Sequence, residues 1–287
     1  MSRSSLTPLV TASYCSVNKI IVSSFVERWQ PETNTFHMPF GEMTITLDDV
    51  ASIIGIPVTG RTVSYNDRMT YEAAQALLVD ALGVEPIEAH DELIQVRGQS
   101  VRLEWPRERF GGLSDDDGEE MVDCAVRAYL LYLLGCTLFT DKSGIRVPII
   151  FLTHLVDLDN VRSYSWGTAA LAYLYRQLGL ATRREVKQIA GYLTLLEAWV
   201  YEHFECLAPT PNIHYQPDHL RVHRWVSRRE SAPLHALRER LDSMSTNLVI
   251  TQIFLLIFYH VKSLFCIMYF HILYLDSQFS GQLGPIS

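Results

Sequence analysis

The sequence has few cysteines and few lysines, and it has no excess of positive charge. Its five cysteines are far apart in a chain of 287 residues, which excludes a disulfide framework and is typical of a reducing compartment. Only four of the 24 basic residues are lysines. Because 32 residues are acidic, the net charge is −8, and this excludes a general nucleic-acid coat, which needs clustered positive charge.

The familiar catalytic motifs are also missing. The sequence contains no G-x-S-x-G nucleophile elbow, no G-x-x-x-x-G-K-[ST] phosphate loop and no G-x-G-x-x-G dinucleotide fingerprint. A pyridoxal-phosphate enzyme needs a buried lysine, but Lys142 lies in a polar turn sequence and Lys187 lies close to two arginines. The sequence therefore predicts no catalytic residue and no bound cofactor.

The apolar content is sufficient for a large core, since 48% of the residues are hydrophobic and 11% are aromatic. Residues 35–46 alternate apolar and polar side chains around Pro39-Phe40-Gly41, which predicts a β-hairpin. The predicted class is mainly α, a helical bundle with this small β-hairpin near the N-terminus. Helices are predicted at 47–54, 71–82, 119–134, 149–158, 166–178, 183–204 and 231–244.

The ends of these helices are predicted from capping residues and glycines. Thr46 and Thr70 are suited to cap the helices that follow them, and Gly135 is expected to end the helix that starts at residue 119. Ser165 is expected to cap the helix 166–178. The capping-box sequence 182–185 predicts that the next helix begins there, antiparallel to its neighbour.

The two ends of the chain differ in kind. Residues 1–24 are polar and rich in serine, and they are expected to form a flexible N-terminus without a secretory signal. Residues 248–275 are almost entirely apolar, and a helix of that length would extend about 42 Å. The sequence therefore predicts a C-terminal apolar helix, followed by a tail at 276–287.

Two interpretations of this apolar segment stay open. Arginines precede it and no basic residue follows it, so a transmembrane helix here would make a tail-anchored membrane protein with the domain in the cytosol. Lys262, near the middle of the segment, opposes insertion. Alternatively, the composition changes abruptly at Asn247, as it would in a gene-model artefact with translated non-coding sequence.

A weak candidate metal site lies near residue 210. His203-x2-Cys206 is followed, after twelve residues, by His219-x3-His223, which copies a zinc-finger spacing with one cysteine replaced by histidine. Three prolines interrupt the intervening stretch and only one thiolate is available. Surface and core histidines are the competing interpretation.

Acidic side chains offer a second, weaker metal hypothesis. Asp157 and Asp159, with Glu197 or Glu202, are a candidate carboxylate set for a metal-dependent nuclease. A Leu-Asp-Leu-Asp-Asn sequence between helices is also typical of a capped turn.

A basic stretch near residue 225 is the best candidate interaction surface. Guanidinium planes and an indole suit either nucleic-acid backbone with stacking or an acidic protein partner. The alternative is a solvated face that a tryptophan anchors to the core. The surface is assigned to Arg221, Arg224, Trp225, Arg228 and Arg229.

Several strings resemble one protein family in sequence and in order. The opening of the plant mobile domain is similar to FVERWQPETNTFHMPFGEMTITLDDVASIIGIPVTG. It is followed here by RAYLLYLLGCTLFTDKSGIRV, LVDLDNVRSYSWGTAALAYLYRQL, LLEAWVYEHF and HRW, as in the family. The resemblance covers residues 25–247.

The resemblance implies a plant nuclear protein related to the maintenance-of-meristems proteins and their transposon-encoded relatives. It implies roles in meristem maintenance and in gene silencing of transposable elements, with phosphatase-like and chromatin-associated partners. Family members also carry the label aminotransferase-like, which the lysines of this chain do not support. The phosphatase signatures G-D-x-H-G and G-N-H-E are absent from this chain.

The expected function is therefore that of a non-enzymatic nuclear interaction module. The family has no established catalytic residues for this module, so the resemblance transfers none. The alternatives are a tail-anchored membrane protein carrying this domain and a transposon-derived metal-dependent nuclease.

Overall fold

The computed structural model describes residues 5–14, 16–63, 69–96, 98–112, 118–183, 188–227 and 233–244. These residues are mainly helical with a small antiparallel sheet near the N-terminus, which confirms that part of the predicted class. The helices are α1 (Lys19–Val26), α2 (Leu47–Ile54), α3 (Tyr71–Leu82), α4 (Pro86–Val96), α5 (Glu104–Phe110), α6 (Glu119–Cys136), α7 (Trp166–Ala181), α8 (Leu193–His203) and α9 (Leu234–Asp242). The strands are β1 (Trp29–Gln30), β2 (Thr35–Met38), β3 (Gly41–Met43), β4 (Ser100–Arg102) and β5 (Arg146–Pro148). Short 3-10 helices lie at Thr7–Val10, Ile149–His154, Val161–Ser163, Glu205–Leu207 and Arg221–Arg224.

The predicted hairpin is confirmed, and the sheet is larger than predicted. Strands β2 and β3 pair antiparallel, and β1 adds a third strand with Trp29 opposite Phe36. A separate antiparallel pair joins β4 to β5. The sequence analysis missed β1, β4 and β5 because strands of two or three residues are too short to show an alternating pattern.

Two helix boundaries are confirmed by the local chemistry that predicted them. Thr46 accepts a hydrogen bond from the backbone N–H of Asp49 and forms a capping box at the start of α2. Thr70 caps α3 in the same way, through the N–H of Ala73. Gly55 and Gly83 end these helices in the left-handed conformation, which glycine adopts without a steric cost.

Four predicted boundaries are wrong. Helix α6 continues through Gly135, and α7 continues past Gly179 to Ala181. Helix α8 begins at Leu193 rather than at residue 183, because Gly191 has a φ of +95°, which a right-handed helix cannot contain. The capping-box sequence 182–185 lies partly outside the described residues. The predicted helix 149–158 is a 3-10 helix that ends at His154.

The N-terminal segment contributes side chains to the core. Leu6 and Leu9 are buried there, and so are Ile21 and Phe25 of α1. The side chain of Asn18 accepts hydrogen bonds from the backbone N–H groups of Ile20 and Ile21 and caps α1. The apolar side chains among the serines thus pack in the interior of the described part of the chain, whereas the flexibility of residues 1–24 stays a prediction.

Helix α8 lies at the centre of the core. All of its residues from Thr194 to Glu202 are buried, so the helix has no solvent-facing side. The ring of Trp199 stacks on Phe36 of β2 at 5.3 Å and meets Phe25 of α1 edge to face at 6.1 Å. The sheet and α1 are therefore held against the same helix.

Helix α9 lies against α1. Leu237 and Leu241 are buried, and Arg28 contacts Asp242 at 2.6 Å. The guanidinium of Arg238 donates to Glu27, the residue that follows α1. These exposed ion pairs add little free energy, so the two buried leucines provide most of the attachment.

The predicted apolar helix at 248–275 and its tail lie outside the described residues. Among the residues that are described, no helix is both long enough and apolar enough to cross a membrane.

Close packing around α6 makes the substitution of Gly135 by alanine informative. A Cβ at this position would lie 2.6 Å from Leu103 Cδ2 and 2.6 Å from Val147 Cβ. We expect Gly135→Ala to lower the free energy of unfolding by about 1–3 kcal/mol, because this overpacking exceeds the gain in helix propensity. Chemical denaturation monitored by circular dichroism measures the change. Gly112→Ala is the control, since nothing lies within 4 Å of a Cβ there. An equal stability for both variants would contradict this packing.

Candidate interaction surface

Two glutamates of α8 are buried in the protein core. Glu197 is 0% exposed and Glu202 is 5% exposed. A buried carboxylate is costly unless it receives hydrogen bonds or an opposite charge. Both side chains have such partners, and these partners come from segments far apart in the sequence.

Glu197 holds the N-terminal segment and the residues after 220 to the same helix. Its Oε2 accepts a hydrogen bond from the backbone N–H of Asn18 at 2.9 Å. Its Oε1 accepts from the hydroxyl of Tyr201 at 2.6 Å and from the hydroxyl of Ser227 at 2.5 Å. Three donors therefore compensate the loss of hydration of this carboxylate.

The environment of Glu197 also keeps the nearby phenols protonated. Burial, the hydrogen bond to Glu197 and the charge of Glu197 together raise the pKa of Tyr201 well above its ordinary range. Burial and then the charge of Glu197 raise the pKa of Tyr14 in the same direction. Tyr201 therefore stays a hydrogen-bond donor at every physiological pH.

Glu202 binds the predicted basic stretch. Its Oε1 accepts a hydrogen bond from the indole N–H of Trp225 at 2.6 Å. The guanidinium nitrogens of Arg221 and Arg224 lie 3.7 and 3.6 Å from its carboxylate oxygens. The structure thus brings three of the five predicted surface residues together around one buried charge.

The role of Trp225 differs from that of an exposed stacking platform. The side chain is 5% exposed, and the guanidinium of Arg224 covers its ring at 4.6 Å. Trp225 therefore anchors the segment to the core, as the alternative interpretation of the sequence described. Arg228 and Arg229 lie outside the described residues.

Exposed apolar side chains occur in the segment of the two arginines and in the segment paired with it. Ile213 is 87% exposed and Val226 is 50% exposed. A β-bridge joins Pro211 to Trp225, and the N–H of Asn212 donates to the carbonyl of Arg224 at 2.8 Å, which brings the two chain segments side by side. We call the exposed parts of Ile213, Arg221, Arg224 and Val226 the 213–226 surface.

Sequence reasoning missed the most important members of this arrangement. The sequence 193–203 is apolar on every helical face, and such a helix is normally buried, so Glu197 and Glu202 could have been recognised as core carboxylates. No local signal identifies Ile213, because it lies in an irregular segment between 3-10 helices.

The four candidate metal ligands are not gathered into one site. His203 Nε2 lies 3.0 Å from Asp49 Oδ1, whereas His223 Nε2 lies 3.4 Å from the hydroxyl of Thr11. The backbone N–H of Gln216 donates to His219, and Cys206 is exposed. The described residues include all four candidates, and they contain no group of three or more histidine, cysteine, aspartate or glutamate side chains suited to a metal.

The candidate nuclease carboxylates are also separate in their roles. Asp157 accepts hydrogen bonds from the backbone N–H groups of Asp159 and Asn160 at 3.2 Å, which is the predicted capped turn. Glu197 and Glu202 accept their hydrogen bonds within the core, as described above. Asp157, Glu197 and Glu202 therefore have separate structural partners, and the described residues contain no acidic group of three or more suited to a metal.

The helical fold, the hairpin and the aromatic core around α8 extend over the strings that carry the family resemblance. A profile of the plant mobile domain matches residues 6–255, and the chain therefore belongs to the plant mobile domain family. The match begins well before residue 25, where the resemblance was expected to begin, in agreement with the packed N-terminal segment.

Relatives within this family come from Arabidopsis thaliana. The chain is 41% identical to Protein MAIN-LIKE 1 over 68% of its own length and 37% of that protein. It is 35% identical to Protein MAINTENANCE OF MERISTEMS over 80% of its own length and 46% of that protein. It is 38% identical to Serine/threonine-protein phosphatase 7 long form homolog over 66% of its own length and 14% of that protein.

The chain thus spans less than half the length of each of these curated relatives. No solved structure matches it.

The hydrogen bond and the two ion pairs of Glu202 predict a specific loss of stability. Glu202→Gln removes the charge that faces Arg221 and Arg224, so we expect the free energy of unfolding to fall by about 1–3 kcal/mol. Urea denaturation measures the loss. Glu205→Gln is the control, because Glu205 lies 3.7 Å from Arg224 but is largely exposed, and a change within about 0.5 kcal/mol is expected. Equal losses in the two variants would show that burial of Glu202 has no special effect.

The contact between Asp49 and His203 predicts an acid-dependent stability. Burial alone would raise the pKa of Asp49, but the hydrogen bond and charge of His203 and the hydrogen bonds of Thr46 lower it below 3.8. Ionised Asp49 therefore contributes stability above the ordinary pKa, and this contribution is lost as the pH falls through the lowered folded value. We expect the stability of Asp49→Asn to fall less steeply with decreasing pH than that of the wild type. The midpoints of urea denaturation between about pH 2 and 6 measure this dependence.

Asp48→Asn is the matched control for this measurement. Asp48 also lies in the first turn of α2, but its side chain is exposed. If the stability of Asp49→Asn fell with decreasing pH as steeply as that of the wild type, this would contradict the assigned role of the contact with His203.

Proposed function

We propose that this protein is a non-enzymatic interaction module that acts in the plant nucleus through protein partners. The observation that carries the proposal is the construction of the 213–226 surface on Glu202. The carboxylates of Glu197 and Glu202 have partners inside the protein. Ile213 and Val226, by contrast, are exposed in the two paired segments that also carry the arginines. Such a combination of apolar and guanidinium groups is suited to protein binding.

The distribution of the domain among its relatives supports this proposal. The same region is shared with proteins named for meristem maintenance and with a protein named as a phosphatase homologue, where it accounts for 14% of the length. A domain that accompanies different neighbouring sequences is suited to bring proteins together. We therefore propose phosphatase-like and chromatin-associated proteins as partners, with roles in meristem maintenance and transposable-element silencing.

The membrane-protein and nuclease alternatives have different support. The apolar sequence 248–275 favours a tail-anchored membrane protein with the domain in the cytosol, and it lies outside the described residues. Nothing in the arrangement of Asp157, Asp159, Glu197 and Glu202 favours the transposon-derived metal-dependent nuclease.

Affinity capture from plant nuclei tests the proposal directly. The tagged full chain is incubated with nuclear extract, and bound proteins are identified by mass spectrometry. We expect recovery of phosphatase-like or chromatin-associated proteins, and a decrease of about tenfold for the double variant Ile213→Asp with Val226→Ser, which corresponds to about 1.4 kcal/mol. Both side chains are exposed, so the fold is retained.

A matched variant on α4 controls for a general effect of surface charge. Ile87 and Ile94 are 72% and 56% exposed, and Ile87→Asp with Ile94→Ser introduces the same polar residues on α4. This variant is expected to recover partners as the wild type does. Recovery of no such protein, or equal losses in both double variants, would contradict the proposal.

The cellular fraction separates the nuclear proposal from the membrane alternative. The tagged full chain is expected in the nuclear fraction and in the supernatant after carbonate extraction. Retention in the membrane pellet would instead support the tail-anchored protein.

A further inference from the structure

The hydroxyl of Ser227 is hydrogen-bonded to a buried carboxylate that other contacts hold in place. It donates to Glu197 Oε1 at 2.5 Å, and this carboxylate has no exposed surface. The same oxygen accepts from Tyr201, and the other oxygen accepts from the backbone of Asn18. Any group added to the Ser227 oxygen must therefore meet a carboxylate fixed by two other donors.

We propose that Ser227 is a phosphorylation site, and that its phosphorylation releases the segment 221–227 from α8. The proposal rests on the proposed function, because this segment carries most of the 213–226 surface. A serine kinase transfers the γ-phosphoryl group of ATP to Ser227 Oγ. The bond to the β-phosphate oxygen breaks, ADP leaves, and the hydroxyl proton is released.

The sequence before Ser227 suits a kinase that recognises arginine. Arg224 is three residues before Ser227 and Arg221 is six residues before it, and a kinase carboxylate can bind a guanidinium group in a bidentate manner. Ser227 itself is partly buried, so a local opening of the segment must precede the transfer. A phosphate added in the open state then prevents the original contact from forming again.

Charge repulsion is the physical basis of this release. A phosphoserine carries a charge of about −1.5 to −2 at pH 7, whereas the hydroxyl it replaces is a neutral donor. Its oxygens would face the Glu197 carboxylate at hydrogen-bond distance in a buried environment, where like charges repel strongly. The attractive contact thus becomes a repulsive one.

Release of the segment changes which side-chain groups a partner can bind. In the closed form, Glu202 accepts from Trp225 and faces the charges of Arg221 and Arg224. In the released form the indole and both guanidinium groups lose that carboxylate and become available together. The chemistry of the released segment therefore fits an acidic partner surface.

Phosphorylation of the full chain, followed by hydrogen exchange, tests the inference. The protein is treated with an arginine-directed serine kinase and Mg·ATP, and peptide mass spectrometry locates the phosphate. We expect phosphate on Ser227. The amide of Asn212, which donates to Arg224, is expected to exchange at least about tenfold faster than before treatment. No phosphate on Ser227, or unchanged exchange at Asn212 despite its presence, would overturn the inference.

Two variants make the result specific to this serine. Ser227→Ala is expected to show no change in Asn212 exchange on kinase treatment, whereas Ser227→Asp is expected to show faster exchange without treatment. Ser243→Asp is the matched control, because Ser243 also follows an arginine by three residues but is exposed and donates to the carbonyl of Arg240. An equal increase in Ser243→Asp would contradict the inference.

These measurements need no partner protein. Failure of the kinase and exchange experiments would therefore leave the affinity capture from nuclei unaffected. Failure of that capture would in turn leave the phosphorylation switch testable.

Discussion

The structure depends on two carboxylates that are buried in a helix with no exposed side. Glu197 and Glu202 of α8 are stable in the core only because donors from other segments reach them. These donors are the backbone of Asn18 on one side and the side chains of Ser227 and Trp225 on the other. The first and the last parts of the domain are therefore attached to its centre through the same pair of charges.

This constraint determines the character of the interaction surface. Arg221 and Arg224 face Glu202, so their positive charge is partly offset inside the protein. Under the proposed function, the described part of this surface would bind a partner through shape and exposed apolar groups such as Ile213 as well as through charge.

The sequence predicted the elements whose signals are local and missed those that depend on distant contacts. Thr46, Thr70, Gly55 and Gly83 act on neighbouring backbone groups, so α2 and α3 were predicted with their observed ends. The start of α8 depends on the positive φ of Gly191, whose N–H bonds to the carbonyl of Thr140 fifty-one residues earlier in the chain. Likewise, the partners of Glu197 and Glu202 are far away in sequence. The site could therefore be predicted only as a basic stretch, without the buried glutamates that hold it to α8.

The contact between α1 and α9 has a consequence for the order in which the core is completed. Arg28 and Asp242 are 214 residues apart in sequence, so α1 meets α9 only after nearly all of the described chain has been synthesised. A chain that ended before α9 would therefore lack the two leucines, Leu237 and Leu241, that α9 buries in the core.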